Sequence, residues 1–402
     1  MNLYPHQQEL VDLNPSKHGL FHATGTGKTN TSIELANRKG VDTLVVCPKM
    51  LKPKWEREIE KYGNKSFSWE VVTKETFKRD YKEMPPFSTL ILDEAHFWSN
   101  YKSQLHKRTR AWINVYMPEN VYLLTATPLL AQAAMSVYSL GVLLGKDWKL
   151  QYFRNKYFVP RHMGSRVIMV ERSGIEDELA EILHTIGNTV RIDDMHDDVF
   201  VNEYFEATPA QKKLQKEVDM AESVPIVRIG KRHQIASGIL LGNEYYQTQR
   251  VKADKNERIL DLIHEHPKLV IFGAYREHLN LLADLCAEHD IPHYVIHGDT
   301  KDRDGVVQLL EVAPRAVAII ASQCSAGYEL PSFKAVAFAS LAYDFIHYQQ
   351  AIGRFSRINV ETERRVFYHL LTKGSMDEAV LKSLKKKENF SEALYAMENN
   401  DA

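Results

Sequence analysis

One short stretch, residues 23–29, constrains the fold more than any other part of the sequence. It reads Ala-Thr-Gly-Thr-Gly-Lys-Thr, follows the apolar run 19–21 and precedes the helix-like segment 30–38. A glycine-rich turn between a strand and a helix lets backbone N–H groups approach a polyphosphate closely, and the helix start adds partial positive charge. This order of strand, turn and helix is what a phosphate-binding loop requires.

Two side chains at the end of this loop have the chemistry to complete a nucleotide site. Lys28 would reach the β- and γ-phosphates, and the Thr29 hydroxyl would help to hold Mg²⁺. A turn before a purely structural helix is the alternative, but it would not need a Lys-Thr pair at this offset. The sequence thus predicts nucleotide binding by Gly25, Thr26, Gly27, Lys28 and Thr29.

Length and composition bound the remaining possibilities. A chain of 402 residues predicts two domains, and 44% apolar with 26% charged residues describes a soluble globular protein. The formal net charge of −1 gives no global field for nucleic acid, so any such contact must come from a local surface. Neither a secretory signal nor a membrane-spanning run is visible. Cys47, Cys286 and Cys324 form no metal or disulfide pattern, so we expect buried thiols and a cytoplasmic protein.

Strand-sized apolar runs alternate with helix-like stretches along both halves of the chain. Runs of this kind are typical of buried parallel strands in an α/β fold. The predicted strands are 43–46, 88–92, 121–124, 268–272, 293–296, 316–320, 335–338 and 365–370.

The stretch 145–256, between the two halves, is more helical and more charged. It contains the acidic run 193–198, which we interpret as a solvated linker. We therefore expect a first domain at 1–195 that ends in a helical segment, and a second domain at 196–402.

Two adjacent acids follow the strand-like run 90–92. Asp93 and Glu94 emerge at the carboxyl end of that strand, the edge where ligands bind in doubly wound sheets. Asp93 suits the shell of a Mg²⁺ ion, and Glu94 suits polarising an attacking water. An exposed acidic turn is the alternative, but the same domain also carries the phosphate loop, which favours catalysis.

Three further polar residues are candidates on weaker grounds. Thr125 and Thr127 follow the strand-like run 122–124, where their hydroxyls could contact His96 or Glu94, although such residues are also ordinary turn chemistry. Gln7 lies near the start of the chain, and its amide can donate to and accept from an adenine edge at once.

Two arginines three residues apart, Arg354 and Arg357, occur late in the chain. In a helix both would lie on one face. Guanidinium groups that a second domain presents to a γ-phosphate are arginine fingers, worth ~10³–10⁵ in rate. A solvated basic helix turn is the alternative, but the interleaved Ile352, Gly353 and Phe355 indicate a partly buried face and favour fingers.

Taken together, these stretches resemble the superfamily 2 helicase-like ATPases, and within them the Swi/Snf-like DNA translocases. The loop form A-x-x-G-x-G-K-T and the DEAH box at 93–96 belong to the wider resemblance. The subgroup resemblance rests on segments similar to its other motifs, at 45–49 with 55–59, 74–77, 322–330, 350–358 and 367–378. The similarity extends from Tyr4 to Lys387.

The resemblance implies two tandem RecA-like domains, each a parallel sheet flanked by helices, with ATP and Mg²⁺ in the cleft between them. Gly327 and Glu329 of the second domain would contact the nucleotide, although the family usually has Asp or Asn at the latter position. Gln350 would join His96 in coupling the nucleotide state to movement. The insertions of eukaryotic Swi/Snf remodellers are absent, and so compact a chain looks bacterial, archaeal or viral.

Such proteins grip a nucleic-acid backbone and step along one strand for each ATP hydrolysed. The implied partner is DNA, double-stranded or branched, bound by a monomer. The residues that match a backbone contact by position are Lys49, Thr73, Arg276, Ser322 and Gln323.

Three functions remain open. The first is an ATP-dependent translocase on double-stranded DNA that remodels DNA junctions or protein–DNA complexes. The second is a strand-separating helicase on DNA or RNA, which would need a wedge that the sequence does not obviously supply. The third is a non-hydrolysing, ATP-gated binding module, which the presence of Glu94, Arg354 and Arg357 disfavours.

Overall fold

The chain forms two compact units, Met1–Asp193 and Asp194–Ala402. The computed structural model describes residues 2–128, 133–163, 166–190, 198–244, 246–324, 328, 330–353, 355 and 365–385.

The first unit is built on a six-stranded parallel sheet with the order β3-β2-β4-β5-β1-β8. Its strands are β1 Lys17–His22, β2 Thr43–Cys47, β3 Trp69–Thr73, β4 Thr89–Asp93, β5 Asn120–Leu124, β6 Phe158–Met163, β7 Arg166–Glu171 and β8 Gly187–Val190. Its α-helices are α1 Pro5–Leu13, α2 Lys28–Lys39, α3 Lys52–Tyr62, α4 Lys74–Asp80, α5 Gln104–Tyr116, α6 Ala133–Leu143, α7 Leu150–Tyr157 and α8 Glu176–Ile186. Short 3₁₀ turns occupy Lys49–Leu51 and Ala95–Trp98. Strands β6 and β7 lie outside the main sheet as a separate antiparallel pair.

Strands β2, β4 and β5 of this sheet are buried along their whole length, and core clusters cover both faces of the sheet. Along β2, Leu44 and Val46 pack into one core cluster, while Val45 and Cys47 pack into the cluster on the other side. Side chains alternate between the faces of a strand, so a strand buried on both sides reads as one continuous apolar run. The sheet order places β5 between β4 and β1, which brings the ends of all three strands to one edge.

The second unit repeats this plan with a parallel sheet in the order β13-β14-β12-β15-β16-β9. Its strands are β9 Val199–Phe205, β10 Ile239–Leu240, β11 Gln249–Arg250, β12 Lys268–Gly273, β13 His293–Ile296, β14 Ala316–Ala321, β15 Ala335–Phe338 and β16 Val366–Thr372. Its α-helices are α9 Pro209–Ala221, α10 Pro225–Ala236, α11 Asp254–Glu265, α12 Arg276–Glu288, α13 Arg303–Val312, α14 Phe345–Gly353 and α15 Met376–Lys385. A 3₁₀ turn spans Ser322–Cys324.

The predicted α/β class is confirmed, with two parallel six-stranded sheets, each flanked by helices. Every strand predicted from an apolar run is present. Cys47, Cys286 and Cys324 are free and buried, as expected. Within the described part of the chain, the helices are all too short or too polar to cross a membrane.

The stretch between the predicted domains differs from expectation. Residues 145–256 are expected to be more helical than the two halves of the chain, yet they also contain the strands β6 to β11. The acidic run was expected to be a solvated linker, and residues 193–197 of it lie outside the described part. Asp198 contradicts that interpretation, because its carboxylate accepts hydrogen bonds from Nε and Nη2 of the buried Arg365 at 2.8 and 3.1 Å. A guanidinium removed from water needs such a partner.

Candidate nucleotide site

Two glycines give the predicted phosphate loop its shape. Gly25 and Gly27 have φ values of +84° and +82°, in the left-handed region that favours glycine. A Cβ atom on Gly27 would lie 2.2 Å from the side-chain nitrogen of Gln7, so only glycine fits there. The Thr26 hydroxyl donates to the Ala23 carbonyl at 2.8 Å and closes the turn. Helix α2 begins directly after Gly27, so its first N–H groups lie at the loop.

The buried side chain of Gln7 stabilises this loop through hydrogen bonds. Its amide nitrogen donates to the Gly27 carbonyl and to the Thr31 hydroxyl, both at 3.0 Å, and its oxygen accepts from the Tyr4 N–H at 2.7 Å. Only 2% of the residue is exposed. The adenine contact expected from the sequence stays a prediction, and the partner that the structure gives this amide is the loop.

Lys28 lies at the first position of α2 with its ammonium turned toward the end of β1. Its Nζ donates to the carbonyls of His22 at 2.8 Å and Ala23 at 3.0 Å. These acceptors are neutral, so the oxygens of a bound polyphosphate could replace them and gain charge attraction. Thr29 follows on the same first turn of the helix.

Asp93 ends β4 as a buried carboxylate. The Trp55 indole donates to its Oδ2 at 2.7 Å, and the Glu94 N–H donates to its Oδ1 at 2.9 Å. Burial raises the pKa of Asp93 to about 6, and the charge of Glu94 adds to the effect, while the Trp55 hydrogen bond and the Lys28 charge oppose it. The charge of Lys28 therefore reaches Asp93 across the sheet edge.

Glu94 and His96 link the acids to the neighbouring strand. The backbone of Glu94 has a φ of +54°, which is unusual for a residue other than glycine. His96 Nδ1 lies 3.2 Å from Glu94 Oε2 and 3.4 Å from the Thr125 hydroxyl. The Thr125 hydroxyl also accepts from the Thr127 N–H at 3.1 Å. The contact with His96 that the sequence suggested for Thr125 is therefore present, while its coupling role stays a prediction.

The residues at this edge suit a nucleoside triphosphate with Mg²⁺. Glycine provides the close approach that a phosphate needs, Lys28 provides a cation, and Asp93 with Thr29 provides oxygen ligands. Mg²⁺ is usually held by one or two carboxylates together with substrate phosphates and waters, which matches this donor set.

Sequence reasoning missed Trp55 as part of this site. Trp55 and Asp93 are separated by 38 positions in the chain, and their contact depends on how α3 packs against the sheet. The tryptophan was visible only as one residue of a motif-like helix, and nothing local marked its indole as a partner for the acid.

The candidate backbone contacts in the first unit differ in their surroundings. Lys49 is exposed at the start of a 3₁₀ turn. The Thr73 hydroxyl instead caps α4, accepting from the Thr76 N–H at 3.1 Å. Thr73 therefore has a structural role whether or not it also contacts nucleic acid.

The candidate backbone contacts in the second unit also include both buried and exposed residues. Ser322 is buried and donates to the Gly273 carbonyl at 3.1 Å, and Arg276 is exposed and pairs with Asp299 at 2.7 Å. Gln323 is exposed, and Gln350 is buried on α14. The other predicted residues, Gly327, Glu329, Arg354 and Arg357, lie outside the described part of the chain.

A comparison with known protein families finds a match in the second unit. Residues 254–359 match the family model of the helicase conserved C-terminal domain. Among solved structures, the chain is similar to the Sulfolobus solfataricus SWI2/SNF2 ATPase core in complex with dsDNA, with 18% identity and a TM-score of 0.43, covering 96% of this chain and 91% of that one. No curated protein matches.

The family match spans two of the three segments that carried the helicase resemblance in the second half of the sequence, 322–330 and 350–358, and ends before the third, 367–378. Residues 254–359 are therefore similar to the helicase conserved C-terminal domain, which agrees with the resemblance to superfamily 2 helicase-like ATPases.

Proposed function

We propose that this protein is a DNA-stimulated ATPase that moves along double-stranded DNA and remodels DNA junctions or protein–DNA complexes. The observation that carries the proposal is the grouping of Lys28, Asp93 and Glu94 at one edge of the first sheet. The helicase conserved C-terminal domain at 254–359 supports the choice of a nucleic-acid motor over other nucleotide-binding proteins.

Each residue at the sheet edge has a role in this proposal. When ATP binds, the Lys28 ammonium moves from the carbonyls at the end of β1 to the phosphates. Asp93 and Thr29 would hold Mg²⁺, which when bound would neutralise phosphate charge. Glu94 accepts a hydrogen bond from the attacking water and orients it.

In this proposal, ATP hydrolysis at the acids is transmitted to the neighbouring strand, β5. His96 contacts both Glu94 and Thr125, so a change at the acid is transmitted to the segment that follows β5. Arg354 and Arg357 keep their role as arginine fingers in this proposal. Phosphate contacts would dominate DNA binding, which implies little sequence preference and a strong salt dependence.

The decisive experiment measures ATP turnover with and without duplex DNA. We expect duplex DNA to raise turnover in the unaltered protein, and Lys28→Ala and Glu94→Gln to abolish it. Matched controls are Lys17→Ala and Glu119→Gln, which remove the same kinds of charge from exposed positions. Lys17 is the first residue of β1 and Glu119 directly precedes β5, so both lie at the amino ends of these strands, away from the site. Both controls should keep turnover. Undiminished turnover in the Lys28 and Glu94 variants would refute the site.

An ATP-binding titration beside the turnover assay separates binding from hydrolysis. Glu94→Gln should still bind ATP, because the loop and Lys28 are intact. A protein that binds ATP but never hydrolyses it, with or without DNA, would be the ATP-gated binding module instead.

A strand-separating helicase is the second candidate, and the β6–β7 pair favours it because it is a separate element with exposed apolar side chains that the sequence did not predict. Displacement of a triplex-forming strand reports translocation on duplex, whereas separation of a tailed duplex reports unwinding. Repeating both assays on RNA identifies the nucleic acid.

A further inference from the structure

The pair β6–β7, residues 158–171, is a two-stranded ribbon fastened to the first unit at its base. Phe158 packs against the core of the unit. Opposite it in the register, Glu171 accepts hydrogen bonds from the N–H groups of Ala133 and Ala134 at 3.0 and 2.6 Å. These are the first N–H groups of α6, so the carboxylate caps that helix. The base of the ribbon is thus held by both packing and charge.

Beyond its base, the ribbon exposes large apolar side chains. The exposed fractions are 40% for Val159, 57% for Val167, 41% for Ile168 and 51% for Met169. In the register, Val159 and Ile168 lie on one face, and Val167 and Met169 lie on the other. A ribbon kept only for stability would bury one of its faces. Exposed apolar side chains grouped on one element mark a surface that meets another molecule.

The charge of the ribbon identifies the class of that molecule. Residues 158–172 contain three arginines, at 161, 166 and 172, and His162. Arg161, His162 and Arg172 are exposed. The single acid in this stretch is Glu171, whose carboxylate is engaged by α6. A chain with a net charge of −1 therefore carries a local cationic ribbon, which is complementary to a polyanion.

A nucleic-acid duplex matches both properties of the ribbon. The major groove of duplex DNA admits a two-stranded β-ribbon. Arginines then meet the phosphates that line the groove, and apolar side chains meet sugars, methyl groups and base edges. A protein partner would satisfy the apolar residues but would leave the excess of arginine unexplained.

We propose that the β6–β7 ribbon is a duplex-binding element, with Arg161 and Arg172 on phosphates and the face that carries Val159 and Ile168 toward the groove. This inference rests on the proposed function and adds a contact that lies outside the helicase motifs. Glu171 is a positioning residue in it, because it fixes the base of the ribbon to α6.

The test measures duplex binding by the full chain as a function of salt. Arg161→Ala/Arg172→Ala should weaken binding on the order of 10–100-fold near 0.1 M salt and make the salt dependence shallower by about two phosphate contacts. Arg161→Lys/Arg172→Lys keeps the charge and should retain most of the affinity. The matched control is Lys107→Ala/Arg110→Ala, two exposed cations on α5, which should bind like the unaltered protein.

Circular dichroism and tryptophan fluorescence should show that every variant is folded. If the unaltered protein binds duplex and is stimulated by it, yet the Arg161/Arg172 variant binds equally well, the ribbon is not a duplex contact. Equal losses in the α5 control, or equal losses on single strands and duplex, would also overturn the inference. Absence of any DNA binding or stimulation in the unaltered protein would instead overturn the proposed function and the ribbon's role with it.

Discussion

Gln7 illustrates how one buried amide fixes the shape of a binding loop. Its nitrogen donates to Gly27 and Thr31, and its oxygen accepts from Tyr4, so each polar atom of the side chain has a partner. A buried polar group stabilises a fold only while such partners are present. Gly27 in turn must lack a Cβ atom because the amide occupies that space. The glutamine and the glycine therefore depend on each other.

This dependence predicts the effect of Gln7→Glu. A carboxylate of the same shape keeps the acceptor for Tyr4 but cannot donate to the Gly27 carbonyl or the Thr31 hydroxyl. We expect the first unit to lose about 1–3 kcal/mol of unfolding free energy. We also expect the affinities for ATP and GTP to fall by the same factor, because in the proposed site the loop contacts the phosphates, which the two nucleotides share. Calorimetric titration with each nucleotide measures this.

Gln8→Glu is the matched control, since Gln8 is exposed on the same helix, where its amide bonds to Asp12. It should leave both affinities unchanged. A loss in Gln7→Glu that is confined to ATP would contradict the loop role and favour the adenine contact predicted from the sequence.

The chemistry at this site was predictable to the extent that it was local in the sequence. Lys28 ends a glycine-rich stretch that follows one strand-like run, and Asp93 and Glu94 stand directly after another, so the pattern marks all three without knowledge of the fold. The bonds of Gln7 to the loop and of Trp55 to Asp93 join residues about 20 to 38 positions apart. Those contacts exist only once α1 and α3 pack on the sheet, so no sequence pattern reveals them.

At the scale of elements, a buried ion-pair network joins three helices of the second unit. Lys255 on α11 donates to Asp377 on α15 at 2.8 Å, and His233 on α10 lies 3.3 Å from the other carboxylate oxygen. The same carboxylate accepts from the Thr372 N–H at 2.9 Å, where β16 ends. Burial by itself raises the pKa of Asp377, but Lys255 and His233 offset this and hold it well below its usual range.

Asp377→Asn should therefore be strongly destabilising. The amide leaves the Lys255 ammonium, of which 1% is exposed, without its counter-charge. Breaking a buried pair in this way costs about 3–5 kcal/mol, whereas replacing both partners by apolar residues is often close to neutral. We expect Lys255→Met/Asp377→Leu to be less destabilising than Asp377→Asn alone. Native-state hydrogen exchange of the β16 amides measures both losses.

Asp219→Asn provides the comparison, because Asp219 pairs with Arg232 on the surface of the same unit. Exposed pairs contribute about 0–1 kcal/mol. A loss in Asp377→Asn no larger than that of Asp219→Asn would show that the network does not hold the helices together.

Burial also decides which elements were predictable. The strands β2, β4, β5, β12 and β14 are covered on both faces, so each reads as an unbroken apolar run. Strand β8, with the sequence Gly-Asn-Thr-Val, lies at the sheet edge and needs no such run. The β6–β7 ribbon lies outside both main sheets and carries exposed apolar and basic residues, so it matched neither a core strand nor a helix.

At the scale of the whole molecule, four of the buried histidines among the described residues make the folding of both units sensitive to acid. Burial lowers the pKa of His22, His106 and His369 to about 4, and that of His278 to about 3, where the charge of Lys255 adds to the effect. Two of the four lie in each unit. A buried imidazole stays neutral because charging it away from water is unfavourable.

The direction of the effect follows from linkage. The unfolded chain takes up a proton at each of these histidines near pH 6.5, whereas the folded chain does so only near pH 3 to 4. Their contribution to stability is therefore complete above pH 6.5 and is lost as the pH falls toward 4. Each histidine contributes about 1.4 kcal/mol per pH unit in that window. We expect both units to lose stability on mild acidification, over the window in which these histidines titrate in the unfolded chain.

His106→Gln isolates one of these contributions in the first unit. Nε2 of His106 donates to the Ser139 carbonyl at 3.2 Å, a bond that a glutamine amide can replace without taking up a proton. All five tryptophans of the chain lie in the first unit, so urea unfolding followed by their fluorescence reports on that unit alone. Between pH 6.5 and 4.5 the variant should lose stability less steeply, by about 1.4 kcal/mol per pH unit. His184→Gln, on the exposed face of α8, should keep the original slope, and equal slopes in all three proteins would show that His106 is not a source of acid sensitivity.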